Sequence, residues 1–249
     1  MQSPYNRQLI FDRTARLVGN EALGRLDRVK VIIFGVGGVG GWTAETLVRT
    51  GITHLTIVDA DCVAVSNINR QMPALATTVG QVKVEVVKRR LLDINPEADI
   101  TAIHGLYTAS TAGDYDLADY DYVIDAIDSL ADKALLILNA TEAMIGGHTK
   151  FYSSMGAALK MDPSRIAVAE FWKVKGCPLA AALRRKFKKS ECFPSHKFKC
   201  VYSDELVPNH PGYQPFSTDS ASSGPDDTAM TFNKAVSYTH LRAHETVLD

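Results

Sequence analysis

A glycine run, Gly35-Val36-Gly37-Gly38-Val39-Gly40, sits between an apolar, β-branched segment and a helix-spaced one, and this order constrains the fold most. Before it, Val29-Lys30-Val31-Ile32-Ile33-Phe34 reads as a buried strand. After it, residues 42–50 carry helical spacing and stop at Gly51, a residue type suited to the left-handed turn that closes a helix. A glycine turn from strand to helix lets backbone N–H groups approach a phosphate at the positive end of the helix. Leu55-Thr56-Ile57-Val58 then forms a second strand ending on Asp59, where a carboxylate can grip a ribose hydroxyl. The loop alone specifies only a nucleotide, because NAD, FAD, S-adenosylmethionine and ATP binders all use it.

Strand and helix patterns keep alternating from Val29 to about Ser154. This predicts an α/β fold, a Rossmann-like, mainly parallel sheet with helices on both faces. The first 27 residues read as polar and helical, with Leu17, Val18, Ala22, Leu23 and Leu26 on a partial apolar face. The spacing predicts helices over 79–94 and 133–144 and strands over 100–104, 120–126 and 149–155, with an acidic turn from Asp125 to Asp128. The chain thus divides into a helical segment 1–28, a nucleotide-binding domain 29–172, a basic segment 173–212 and a tail 213–249. The tail is rich in Ser, Asp, Gly and Pro and is expected not to pack on the core.

Composition narrows the class. With 249 residues, 46% hydrophobic and 22% charged, the chain reads as soluble and globular. A net charge of -1 gives no global pull toward nucleic acid or membrane. No apolar run reaches the roughly 18 residues of a membrane span, and Arg7 and Asp12 interrupt any signal-peptide core. Cys62, Cys177, Cys192 and Cys200 include no CxxC pair, which points to a reducing cytoplasm and against structural zinc. His240 and His244 have helical spacing but lack the glutamate and third ligand of a zinc site. Charge is local instead. Between Lys173 and Lys199 there are nine Lys/Arg and one acid, Glu191, with Phe187, Phe193 and Phe198 interleaved. Such a patch suits an anionic partner such as RNA, and a solvated helix face is the plainer alternative.

The residues after the second strand bear on whether the nucleotide is kept whole or broken. Asp59-Ala60-Asp61 is followed by Ser66-Asn67-Ile68-Asn69-Arg70-Gln71 and then Gly80-Gln81-Val82-Lys83. A dehydrogenase leaves its pyrophosphate intact and needs no cations here. Cleaving a triphosphate builds charge on the leaving pyrophosphate, which Arg and Lys stabilise. Arg70 and Lys83 are therefore candidate catalytic cations. The candidate nucleotide contacts are Gly35, Gly37, Gly38, Gly40, Asp59, Asp61, Asn67, Arg70 and Lys83. Asp128 follows a later strand, at the carboxyl end of the sheet where α/β ligands bind, and is a candidate Mg²⁺ ligand. Plainer readings apply elsewhere: Cys62 as a packed small residue, His54 and His104 as packing or capping groups, Asp121 and Asp125 as turn caps. Cys177 and Cys200 lack a neighbouring histidine in sequence, which disfavours a thiol nucleophile.

Five motifs in one order, GVGGVG, DAD, SNINRQ, GQVKVE and DAID, resemble the ThiF/MoeB/ubiquitin-activating-type adenylating enzymes. The resemblance implies a ThiF-type adenylating domain. In it Gly38 and Asp59 bind ATP, Arg70 and Lys83 contact its phosphates beside Asn67, and Asp128 coordinates Mg²⁺. It also implies a homodimer in which Arg7, of Tyr5-Asn6-Arg7-Gln8, reaches the partner's site, with Arg13 and Arg16 as competitors for that role. Residues 123–129, 153–157, 162–164, 177–180, 184–189 and 200–205 are similar to the tRNA threonylcarbamoyladenosine dehydratase branch, over roughly residues 10–210. That branch implies ATP-dependent cyclisation of the modified adenosine in tRNA through an acyl-adenylate, with a sulfur-transfer or sulfur-acceptor protein as a possible partner. The alternative is an adenylyltransferase activating the C-terminus of a ubiquitin-like sulfur carrier, disfavoured by the missing CxxC pairs. Residues 213–249 depart from the branch's apolar ending, so the C-terminal closing part is expected to be incomplete.

Overall fold

In a computed structural model that describes residues 5–208, 211 and 212, three short helices precede an alternating α/β body. They are α1 (Arg7–Ile10), α2 (Asp12–Val18) and α3 (Asn20–Leu26). The body runs β1 (Lys30–Phe34), α4 (Gly40–Thr50), β2 (His54–Asp59), α5 (Lys83–Ile94), β3 (Asp99–His104), β4 (Tyr122–Asp125) and α6 (Leu130–Ala143). It continues through β5 (Lys150–Ser154), β6 (Ile166–Glu170), α7 (Pro178–Ser190) and β7 (Lys199–Ser203). The strands form one sheet, ordered β3-β2-β1-β4-β5-β7-β6, in which only the β6–β7 pair is antiparallel. The fold is the expected Rossmann-like one.

Alternation along β1 explains its central place. Val31 and Ile33 join Ile57, Leu47 and Val87 in the layer under α4 and α5, while Ile32 and Phe34 join Val123, Ile137 and Leu183 under α6 and α7. Burial on both faces is what a near-continuous apolar strand in a parallel sheet requires. Strand order reverses at β1, which has β2 on one side and β4 on the other. A crevice therefore opens at the carboxyl ends of these strands.

Boundaries differ in places. The helix expected over 79–94 begins only at Lys83. Gly80 takes φ +85°, and the Val63 N–H donates to the Gln81 carbonyl at 2.8 Å, which holds 80–82 as an extended arm. Cys62 bridges to Val82 in that arm and is exposed, not packed. The helix expected over 133–144 starts earlier, at Leu130. β6 and β7 lie beyond the alternating region, and the 173–212 segment contributes β7 to the same sheet and α7 to the layer that covers it. Arg184 of that segment turns inward, with Nη1 donating to the carbonyls of Phe171 (3.2 Å) and Val174 (3.1 Å). The tail 213–249, with His240, His244 and the closing part expected to be incomplete, lies outside the described residues. No helix among the described residues is long and apolar enough to cross a membrane.

Candidate active site

The glycine loop is shaped by close backbone approach. Gly35 has φ +86°, and a Cβ there would lie 2.8 Å from the Ala126 carbonyl oxygen of the strand β4 exit. At Gly40 a Cβ would fall 1.8 Å from the Gly35 carbonyl oxygen, so the first turn of α4 can close only on glycine. The Val36 N–H donates to Asp59 Oδ2 at 2.8 Å, and the Asp61 N–H to Asp59 Oδ1 at 2.9 Å. Asp59 thus ties the loop to the end of β2.

At the carboxyl ends of the strands lies a cleft of about 570 Å³, a size that holds a nucleotide. Gly35, Gly37, Gly38, Asp59, Asp61, Asn67, Arg70, Lys83 and Asp128 all line it. Gly40 sits under the loop as a packing residue rather than on the wall. Lys83 is 2% exposed, and its ammonium pairs with Asp61 at 2.8 Å and Asp59 at 3.2 Å. Arg70 donates from Nη1 to the Ser66 carbonyl (2.8 Å) and Asn69 Oδ1 (3.0 Å), which steadies it on the rim. Asn67 accepts the Ala64 N–H on its Oδ1 at 3.1 Å, a turn bond that shapes the same loop.

Across the cleft, Asp128 is exposed on the rim and Asp132 joins it on the wall. One or two carboxylates beside bound phosphates are the hard oxygen donors that suit Mg²⁺, so these residues fit the ion. Asp125 is more than the turn cap expected. It is wholly buried, 2.8 Å from Lys133 Nζ, and it accepts from Ser153 Oγ at 2.6 Å and the Ile127 N–H at 3.0 Å. Lys133 also donates to the Ile127 carbonyl at 2.9 Å. This buried pair fixes the turn that carries Asp128.

Arg7 does not line the cleft of its own chain. Its guanidinium pairs with Asp27 at 2.9 Å, donates to the Gly51 carbonyl at 3.4 Å and lies over the Phe11 ring. Gly51 closes α4, so Arg7 sits roughly 16 Å from the glycine loop, at the far end of an 11-residue helix. Cys177 and Cys200 are buried, and burial pushes the Cys200 thiol far up from its ordinary value, which opposes a reactive thiolate. His104 caps as expected, bonded to the Ala60 carbonyl at 2.7 Å.

The family model described as the ThiF family matches residues 5–166. This chain belongs to the ThiF family. Within that family it is 41% identical over 202 residues to the tRNA threonylcarbamoyladenosine dehydratase of Escherichia coli (strain K12), covering 79% of this chain and 74% of that one. The Bacillus subtilis (strain 168) enzyme of the same name is 38% identical over 195 residues, covering 78% and 74%. Among solved structures, the E. coli dehydratase in complex with ATP superposes with a TM-score of 0.75 at 37% identity, over 82% of this chain and 84% of that chain. The ThiF-family match takes in β1–β5 and the whole glycine-loop wall, whereas α7 and β7 lie beyond it.

Gln71 and Asp132 also line this cleft, and Lys133 and Ser153 support it from behind through Asp125. Gln71 lies within the SNINRQ motif, and its Oε1 is buried without a hydrogen-bond partner, beside Gly37. An orphaned polar atom on this wall fits a bound nucleotide that would satisfy it. Asp132 follows Asp128 at helical spacing, a signal that was available. Lys133 and Ser153 had none, because their link to Asp125 is made by fold: Ser153 is its register partner across β4 and β5.

Proposed function

We propose that this ThiF-family protein is an ATP-dependent tRNA threonylcarbamoyladenosine dehydratase. The observation that carries this is a glycine-floored cleft bearing two cations, Arg70 and Lys83, opposite an exposed carboxylate, Asp128, in a chain so similar to the dehydratases. The threonyl carboxylate attacks the α-phosphorus of ATP, and pyrophosphate leaves. Arg70 and Lys83 stabilise the charge that grows on it. The carbamoyl group of the same side chain then attacks the acyl carbon and expels AMP. One carboxylate oxygen departs on AMP, so the nucleoside loses the elements of water. Both attacking groups are the substrate's own, and holding them together supplies much of the rate without a protein nucleophile.

Mg²⁺, when bound, neutralises phosphate charge; Asp128, with Asp132, is the residue set that would hold it. Asp59 positions the loop through the Val36 N–H, and Asp125 with Lys133 holds the Asp128 turn. The division of labour follows: residues 29–172 hold the nucleotide, and 173–212 hold the tRNA through its phosphates. A cytoplasmic site of action suits this substrate and the free thiols. A sulfur-transfer or sulfur-acceptor protein as partner and kinship with ubiquitin-like modifier activation rest on the shared adenylation chemistry.

A homodimer is part of the same proposal. A largely apolar groove of about 680 Å³ runs between α2–α3, α4 and the β4–β5 face, with Val18, Leu26, Tyr122 and Tyr152 among its walls. A second copy is its occupant, and Arg7 would trade Asp27 for that copy's nucleotide. Sedimentation velocity at micromolar concentration tests the dimer. The reaction is tested by supplying ATP, Mg²⁺ and tRNA bearing threonylcarbamoyladenosine, then assaying cyclised nucleoside and AMP. No cyclised product, with ATP–pyrophosphate exchange driven instead by a sulfur-carrier protein, overturns it.

A further inference from the structure

Among the described residues only three Phe, Tyr or Trp side chains are exposed, Tyr5, Trp172 and Phe193, and two of them meet. The Trp172 and Phe193 rings lie 6.3 Å apart at 42°, 41% and 51% exposed, Phe193 just past the C-terminal end of α7. Their setting is rigid. Trp172 packs edge-on to Phe171 at 5.2 Å, and Phe171 is fully buried between Phe198 (5.1 Å, stacked) and Phe187 of α7 (5.8 Å). The Trp172 N–H donates to Glu170 Oε2 at 3.2 Å, and Phe193 follows the left-handed Glu191 that ends α7.

Leaving two large rings partly in water has a hydrophobic cost that a monomer's surface normally avoids, and here each ring keeps about half of its surface exposed. Around them the charge is positive. Lys173 adjoins Trp172, Lys188 and Lys189 occupy the last turn of α7, and Lys199 is the register partner of Glu170. All four lysines are exposed, and Glu170, Glu191 and Glu142, which accepts from Ser195 Oγ at 2.6 Å, are the acids at the edge. Bases stack on such rings while lysines follow the backbone, and only unpaired nucleotides have free faces to offer. The other end of α7 places Pro178 and Leu179 in the wall of the cleft, so the 13-residue helix spans roughly 20 Å from reaction site to aromatic pair.

We propose that Trp172 and Phe193 form a stacking platform for unpaired bases of an RNA loop whose backbone runs along the basic face of α7. This rests on the tRNA reading above and adds to it a site, a contact type and a preference for single-stranded over duplex RNA. A protein partner covering the same rings is the competing occupant.

The experiment uses the whole chain, ATP absent, and an unmodified anticodon stem-loop RNA, so that binding is read apart from chemistry. Trp42 and Trp172 are the two tryptophans, so the Trp172 signal is wild-type emission minus that of Trp172→Phe. Stem-loop RNA is expected to quench it, and a duplex of equal charge to leave it largely unchanged. Trp172→Ala and Phe193→Ala should each weaken stem-loop binding about five- to a hundredfold. Neither should alter the salt dependence, which Lys188→Ala or Lys189→Ala should reduce by roughly 0.7 in log–log slope. Trp172→Phe should retain most of the affinity, which separates stacking from loss of fold. Unchanged emission on RNA binding, equal quenching by duplex, or quenching by added protein alone overturns the platform. Quenching without dehydratase activity would retain the platform and reject the reaction; activity without quenching would do the reverse.

Discussion

Lys83 Nζ stands 3.2 Å from Asp59 Oδ1, and the same Asp59 carboxylate accepts the Val36 N–H of the glycine loop, so one carboxylate joins the cation to that loop. Lys83 therefore has a structural task as well as its proposed chemical one, whereas Arg70 bonds only within its own turn. Lys83→Ala should lower kcat/KM about 10²- to 10³-fold and cost about 1–3 kcal/mol of stability, since Asp59 loses its counter-charge. Arg70→Ala should lower the rate comparably and leave stability within about 0.5 kcal/mol. Urea unfolding beside initial rates separates the two; equal stability losses would remove the distinction.

The glycines of the loop differ in the same measurable way. Gly40→Ala puts a methyl 1.8 Å from the Gly35 carbonyl oxygen, a backbone atom that cannot step aside. The variant should lose about 2–3 kcal/mol and its nucleotide binding together. At Gly37 a Cβ meets the Gln71 side-chain amide at 3.5 Å, an ordinary contact. Gly37→Ala should fold normally and bind ATP more weakly, as calorimetric titration would report.

Buried thiols give a third expectation. Cys200 is inaccessible, with burial opposing its ionisation, while Cys62 and Cys192 are exposed. Iodoacetamide on the folded protein, followed by mass spectrometry, should label Cys62 and Cys192 and spare Cys177 and Cys200. Cys200→Ala should keep cyclisation within a fewfold of wild type; a loss greater than tenfold at unchanged stability would restore a thiol to the mechanism.

That Gly35, Asp59, Arg70, Lys83 and Asp128 line one cleft was legible because the signals that place them are local. Strand, glycine turn, helix and Asp59 are contiguous in sequence, and each responds to spacing and residue type alone. The same holds for Asp128, just after a strand, for Lys83, at a helix start, and for Arg70, in the SNINRQ turn between β2 and that helix. What sequence could not reveal depends on crossings of the sheet. Ser153 meets Asp125 only through the β4–β5 register, and Arg184, read as part of a basic face, turns to the Phe171 and Val174 carbonyls because α7 packs on that loop. The late start of α5 is likewise a tertiary effect, imposed by the Val63–Gln81 bond.

Acid should expose a linkage at Glu45. Burial opposes its ionisation, but hydrogen bonds and charge from Arg90 (2.6 Å) and Arg49 (2.8 Å) outweigh that, leaving its carboxyl below the usual range. The folded state thus takes up this proton at lower pH than the unfolded chain, whose value is about 4.3. The stabilisation is complete above that value and is lost as pH falls through the folded one. Glu45→Gln should therefore be less stable than wild type at pH 7, and the gap should narrow in urea titrations near pH 3. A gap that stays constant with pH would assign the effect to packing.

Lys133 and Asp125 are both fully buried, with Nζ 2.8 Å from Oδ2. Two ions without water need hydrogen-bond partners beyond each other, and here Ser153 and the Ile127 N–H serve Asp125 while the Ile127 carbonyl serves Lys133. Removing one partner strands the other charge. Lys133→Met should cost about 3–5 kcal/mol. Asp125→Asn combined with Lys133→Met should recover part of that loss, because no net charge is then left unpaired. The double variant should nonetheless lose activity, since it removes the Lys133 bond to the Ile127 carbonyl in the turn that carries Asp128. Urea unfolding of both variants, with cyclisation assayed at a temperature where each is folded, measures the two effects separately. A double variant as active as wild type would mean that Asp128 needs no such support.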